Sequence, residues 1–296
     1  MQESVGKMRF TKMQACGNDY IYVNCFDEHV KDPERLAVKL ADRNYGIGSD
    51  GLILIEPSDT ADAFMHMFNR DGSEGKMCGN GIRCVVKYIY DHHIIEEDRR
   101  HAVIDTRAGL REMDFEVRDG VVSRITVDMG RAVSTGADSA YADDLERQIS
   151  FEGIDIGNPH AVVFLEDNKE LTELAREASD GDVKGMDILM GIPLRQAGTA
   201  VQSSGLFADG VNVEFIDIMS RNEIRMRVWE RGSGETLACG TGAAASAAAG
   251  CMTGKLDPPV LVHLAGGDLT IDYDPDTGKC LMTGNAEYVF TGECDV

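Results

Sequence analysis

The sequence predicts an α+β fold built from two structurally similar halves that arose by internal duplication. Three observations lead there. Cys78-Gly79-Asn80-Gly81 returns 161 residues later as Cys239-Gly240-Thr241-Gly242, each time ahead of a helix-forming stretch. Each copy follows a Gly-Ser-Glu type of approach, Asp71-Gly72-Ser73-Glu74 in one and Arg231-Gly232-Ser233-Gly234-Glu235 in the other. Gly17-Asn18-Asp19-Tyr20 leads into a strand-like run, and so does Gly157-Asn158-Pro159-His160, 140 residues later. Two copies are too few for a solenoid. The boundary is placed at 125/126. Residues 1–125 form a half carrying Cys78, completed by the last strand at about 286–296, and residues 126–285 form a half carrying Cys239.

The elements follow from local pattern. Met8–Met13 alternates and reads as a strand, and Tyr20–Val23 is rich in β-formers. Asp32-Pro33 is an N-cap and first-turn pair, with Leu36, Leu40 and Ala41 at helical spacing, and this helix should stop near Gly46-Ile47-Gly48. Leu52–Ile55 is a short apolar run suited to a buried strand, and Phe64–Asn69 alternates into the first Gly-Ser turn. A helix is expected over about 80–90. Ala102–Ile104 and Arg111–Val117 read as strands. Asp119-Gly120 then turns the chain into Val121–Val127 as a hairpin. The second half repeats the theme with strands at Ala161–Phe164, Val211–Ile216 and Ile224–Trp229, and a helix around Leu171, Leu174 and Ala175. Ala243–Cys251 is Ala-rich and strongly helical. Strands at Val260–Leu264, Leu269–Tyr273 and Ala286–Phe290 close the chain.

With 296 residues and 43% apolar content the chain can bury a real core. A formal net charge of −22 argues against nucleic acid and against anionic membrane as partners. No window offers the roughly 20 apolar residues of a membrane helix. Met1–Arg9 lacks the apolar core of a secretory leader, so a cytoplasmic location is expected. The eight cysteines, Cys16, Cys25, Cys78, Cys84, Cys239, Cys251, Cys280 and Cys294, are then expected to stay reduced. None forms a CxxC pair, which argues against a structural zinc site.

The two Cys-Gly phrases carry the chemistry. The first turn of a helix has unpaired N–H groups and partial positive charge. A thiol placed there is expected to have a lowered pKa, and a carboxylate can dock beside it. Glycine lets a ligand approach the backbone closely. A lone Cys-Gly before a helix is most often packing; two matched copies point to function. One such cysteine from each half, facing its twin across a cleft, would remove a proton from one face of a carbon and return one to the other. The α-proton of an amino acid is very weakly acidic, so an enzyme needs either an electron-sink cofactor or positioned donors for the developing enolate. GxxxxGK[ST] is absent, and so is GxGxxG after a strand. A Schiff-base lysine has no reliable local signature, so the alternative stays open; helix N-termini would supply the donors of a site without cofactor or metal. The other six cysteines read as core or incidental.

Several ordered motifs together resemble the diaminopimelate epimerase family. They are Lys12-Met13 with Gly17-Asn18-Asp19-Tyr20; Asn69-Arg70-Asp71-Gly72-Ser73-Glu74 with Cys78-Gly79-Asn80-Gly81-Ile82-Arg83-Cys84; Gly157-Asn158-Pro159-His160; and Glu230 through Gly242. Leu264–Leu269 and Met282–Ala286 fit as well, so the resemblance runs from about Met8 to the C-terminus. It implies a curled, mostly antiparallel sheet around a central helix in each half. It also implies pyridoxal-independent interconversion of LL- and meso-2,6-diaminoheptanedioate, in lysine and peptidoglycan precursor biosynthesis, by a homodimer. By position, Cys78 and Cys239 are the acid/base pair, and His160 and Glu230 tune the thiols. Asn18, Asn69, Asn158 and Asn212 bind substrate, with Gly79, Asn80, Gly240, Thr241, Glu230 and Arg231. Asparagine suits a substrate with two ammonium and two carboxylate groups, since it offers both donors and acceptors.

The chain departs from the family at Gln14-Ala15, where His-Gly is usual, and Gln14 is expected to loosen local hydrogen bonding. Cys16 adds a thiol beside the presumed site. Leu206–Gly210 lacks a His-Pro pair ahead of Asn212. Residues 1–7 precede the start the resemblance implies, leaving Met8 as a candidate initiator. Competing readings are a proline or hydroxyproline type racemase, a thiol redox sensor pairing Cys78 with Cys239, and a non-catalytic binding protein.

Overall fold

The repeat seen in the sequence is written into the strand registers. A computed structural model describes residues 6–177 and 188–295. Strand Asn18–Asn24 runs parallel to Gly51–Glu56 with Tyr20 beside Gly51. Strand Pro159–Phe164 runs parallel to Asn212–Ser220 with His160 beside Asn212. The offsets are again 140 and 161 residues. The next strand repeats as well: Met67 pairs antiparallel with Gly75, and Val228 with Thr236, both at the offset of 161.

The chain divides into two compact units. Residues up to Val127, together with those from Thr283, make one; Asp128–Met282 make the other. In the first, strand Lys7–Ala15 pairs antiparallel with both Asn18–Asn24 and the C-terminal Glu287–Asp295. Helix α1 (Pro33–Ala41) is capped by Asp32, whose carboxylate accepts from Arg35 N. It ends several residues before the expected Gly46. Asp42 Oδ1 accepts from Asn44 N at 2.7 Å and Tyr45 N at 2.8 Å, and this side-chain turn competes with further helix. Helix α2 (Gly79–Asp91) is buried at every residue from Asn80 to Tyr90. The hairpin at Asp119-Gly120 forms with φ of 53° and 82°, the left-handed pair that a tight two-residue turn demands.

In the second unit, α3 (Lys169–Glu177) and α4 (Leu194–Gln202) pack on one face of the sheet. Their core includes Phe151, Val163, Phe215 and Ala197. Helix α5 (Gly240–Met252) packs on the strands Arg147–Asp155, Pro159–Phe164, Asn212–Ser220 and Gly267–Tyr273, with every residue from Gly242 to Gly250 buried. A helix apolar on all sides needs such an enclosed place.

Several elements lack a sequence expectation, strand Arg147–Asp155 among them. Strand Val133–Ala142 pairs with Arg147–Asp155, but its residues are mostly exposed and carry no apolar alternation. Helix α4 buries Leu194, Ala197, Gly198 and Val201, a helical spacing that was there to be read. Gly198 lies against Trp229 so closely that a Cβ would fall 2.5 Å from the ring. Strand Lys279–Gly284 is another. No helix among the described residues is long and apolar enough to cross a membrane.

Candidate active site

Each repeated cysteine caps a buried helix. Cys78 caps α2 with φ −134° and ψ 120°, and Cys239 caps α5 with φ −128° and ψ 110°. Each Sγ accepts the backbone N–H three residues on, from Gly81 and from Gly242, both at 3.4 Å. Extended backbone at the cap followed by glycine in the first turn is what this local sequence favours. The two frames are the same; their surroundings are not.

Around Cys78, the thiol donates to Asn18 Oδ1 at 3.3 Å. Asn18 Nδ2 in turn donates to Asp50 at 2.7 Å. Arg43 bridges Asp50 and Asp19, and Lys12 reaches Asp19 at 2.8 Å. The Tyr20 phenol stands alongside the thiol. Arg83, fully buried on α2, donates to Gly79 O, Asn80 Oδ1 and Asn285 O and reaches the Cys16 sulfur at 3.6 Å. Asn80 therefore spends its side-chain oxygen on Arg83, and Asn69 Nδ2 bonds Ser73 Oγ at 3.0 Å within the approach turn. Gln14 does not loosen this region: it accepts from Gly17 N at 2.8 Å and donates to Glu287 at 3.0 Å. Its long side chain spans the turn around Cys16, which is buried at φ 51°.

Around Cys239, Thr241 Oγ1 lies 3.4 Å from the sulfur, and Asn212 Nδ2 lies 3.9 Å away, at the weak limit for a bond to sulfur. Asn212 Oδ1 accepts from Arg231 N at 2.9 Å, while the Arg231 guanidinium is exposed and bonds Asp209 O. Glu230 accepts from Thr236 Oγ1 and stands within hydrogen-bonding reach of the Cys239 thiol. His160 is fully buried, with Nδ1 2.7 Å from Glu214 Oε1. Asn158 is half-buried, two residues before His160, at the bend that leads into its strand.

The thiols do not titrate as the helix starts alone suggested. Burial pushes Cys78 up from its ordinary value, against the opposing pull of the Gly81 and Asn80 N–H groups and Arg83. Burial pushes Cys239 up further, and the carboxyls of Glu230 and Glu214 add to it. Burial also raises the Glu230 carboxyl. Desolvation of a thiolate thus outweighs two or three N–H dipoles. Sequence reading missed Glu214, Tyr20 and the Asp19–Asp50–Arg43 network. The signal for Glu214 was present: it is the one acid within the apolar run Val211–Ile216, two residues after Asn212 and so on the same face. Among the described residues no cluster of His, Cys, Asp or Glu could hold a metal ion.

A sequence model of the family described as Diaminopimelate epimerase matches residues 10–135 and 153–289. A diaminopimelate epimerase from Agathobacter rectalis is 44% identical over 307 residues, covering 98% of this chain and 100% of that protein. One from Acetivibrio thermocellus is 41% identical over 300 residues, covering 98% and 99%. Among solved structures, a hydroxyproline epimerase from Agrobacterium vitis with bound trans-4-hydroxy-L-proline aligns with a TM-score of 0.66 at 17% identity, over 100% of this chain and 94% of that one. A PhzF-family phenazine biosynthesis protein from Bacillus anthracis gives 0.66 at 15%, over 98% and 100%. These two share the fold. With the two-part match and the full-length relatives, the chain belongs to the diaminopimelate epimerase family, a family of isomerases.

Proposed function

We propose that this protein interconverts LL- and meso-2,6-diaminoheptanedioate, a step in lysine and peptidoglycan precursor biosynthesis, with Cys78 and Cys239 as its acid/base pair. The observation that supports this most is the matched cap: two cysteines in the same backbone frame, each sulfur bound by the third residue of its helix. In each direction one cysteine, as thiolate, takes the α-proton. The other, as thiol, delivers its proton to the opposite face, and the two exchange roles when the reaction reverses. The elevated thiol pKa values suit this work. A thiolate that is costly to form is a strong base once formed, and the α-carbon is a weak acid. The free N–H groups at the helix starts would hold the α-carboxylate as it takes on enolate charge. Asn18 and Asn212, each beside one sulfur, would orient the ammonium and carboxylate groups, with Asn69, Asn158 and Arg231 toward the distal end.

The test is isotopic. In heavy water the enzyme should wash deuterium into the α-position of LL-diaminopimelate while forming the meso isomer. Cys78→Ala and Cys239→Ala should each slow epimerisation by about 10²–10⁴-fold, the range for loss of positioned proton transfer. Exchange into proline or hydroxyproline, with none into diaminopimelate, would transfer the protein to the other substrate class. Near-normal rates in either alanine variant would remove that cysteine from the mechanism.

A further inference from the structure

The second unit holds a buried histidine–carboxyl pair that the proton transfers described above do not use. His160 and Glu214 have no exposed side-chain surface, and Nδ1 and Oε1 are 2.7 Å apart. Their other polar atoms, His160 Nε2 and Glu214 Oε2, are buried with no hydrogen-bond partner among the described residues. Leaving such atoms unmatched is costly, so packing alone does not account for the pair. The repeat makes the point sharper. The equivalent positions in the first half are Tyr20 and Ile53, so the pair belongs to one half only.

Its place is tied to the Cys239 cap. A Cβ added to Gly242 would fall 2.5 Å from Glu214 Oε1, so this carboxyl lies directly against the first turn of α5. The Gly242 N–H is the one that holds Cys239 Sγ. His160 sits beside Asn212 in register, and the Asn212 amide approaches the same sulfur. Glu230 and Cys239 are the titratable groups that feel the pair.

We propose that Glu214 is a positioning residue for the Cys239 half-reaction: it accepts from His160 Nδ1–H and so fixes the imidazole as the tautomer whose Nε2 is a bare acceptor. A carboxylate that orients a histidine decides which ring nitrogen carries the proton. The other tautomer would present an N–H where this one presents a lone pair, and a flipped ring would present a C–H. The kinetic consequence rests on the epimerase reading; the tautomer does not.

The experiment therefore has two arms. Nitrogen NMR of histidine-labelled protein should show His160 protonated at Nδ1 and bare at Nε2. Glu214→Gln, whose amide can donate to Nδ1, should abolish that signature, and Glu214→Asp should keep it. In the kinetic arm, Glu214→Gln should lower kcat about 10–100-fold with KM changed less than about threefold, the scale of losing an orienting partner. Glu214→Asp should recover part of the rate. His160→Gln/Glu214→Gln should be no slower than His160→Gln alone, since the two act as one unit. A wild-type signature with the proton on Nε2 alone, or on both nitrogens, overturns the proposal. So does a loss confined to KM, or additive effects in the double variant. Should the expected signature appear in a protein that does not epimerise diaminopimelate, the tautomer assignment stands and the substrate assignment falls.

Discussion

The Cys78 and Cys239 caps share one backbone geometry and differ in charge. Beneath Cys78 lies Arg83, and its neighbour Asn18 is tied through Asp50 to Arg43, Asp19 and Lys12. Beside Cys239 stand Glu230 and Glu214, with His160. At three equivalent positions Tyr20 became His160, Ile53 became Glu214 and Asn69 became Glu230. The duplicated frame fixes where a sulfur sits. A few side chains on the neighbouring strands decide what it costs to charge it. A cation lowers that cost for Cys78, and two carboxyls raise it for Cys239. The pair is thus built unequal, with Cys78 the easier thiolate and Cys239 the more persistent thiol.

That inequality has a direct chemical readout. Iodoacetamide followed by peptide mapping should label Cys78 at least about tenfold faster than Cys239, since each 1.4 kcal/mol of difference in ionisation is a factor of ten. Glu230→Gln removes the carboxyl with the larger effect on Cys239 and should narrow the ratio. Equal labelling in the parent protein, or a ratio untouched by Glu230→Gln, would break the comparison.

A pair of glycine substitutions probes the packing beneath each cap. At Gly81 a Cβ would meet Ile53 Cδ1 at 2.8 Å and Met65 Cε at 3.0 Å, both ends of flexible apolar side chains. At Gly242 it would meet Glu214 Oε1 at 2.5 Å, and that carboxyl is pinned by His160. Gly81→Ala should cost less than about 1 kcal/mol, because the helix gains nearly as much from alanine. Gly242→Ala should cost about 2 kcal/mol or more, the usual range for overpacking. Urea unfolding measures both, and equal costs would show that Glu214 yields as easily as Ile53.

The smallest effect is electrostatic and pH-dependent. Burial works against the Asp19 charge, but bonds from Arg43 and Lys12 outweigh it and hold the carboxyl below its usual value. A depressed folded-state pKa gives stability that is present above the unfolded value near 3.9 and lost as pH falls through the folded value. Asp19→Asn should therefore destabilise by about 1 kcal/mol at pH 7, after allowing for solvent screening, and the gap should close below about pH 4. The second half has Pro159 at this position and no such network to lose. A gap that persists at pH 3 would assign the effect to packing instead.

Most strands and helices were legible because their signals are local. Asp32-Pro33 starts α1, Asp119-Gly120 turns a hairpin, and the Ala-rich run after Cys239 makes α5. Val133–Ala142 was not, because it is held by its ladder to Arg147–Asp155 rather than by apolar alternation of its own. At the site, motif order pointed to both cysteines and to the asparagines around them. It did not reveal that Asn80 is engaged by Arg83 or that Gln14 braces the turn at Cys16.

By itself the sequence determined the duplicated frame: two cysteines, each followed by glycine, at the starts of two helices. Those are demands of a few consecutive residues on their own backbone. Only the tertiary structure decided the thiols' protonation, reversing the direction that helix dipoles alone suggested. Desolvation and charge depend on groups far apart in the chain, such as His160 and Glu214, or Arg83 and Asn285, and no local pattern encodes how deeply folding will bury them.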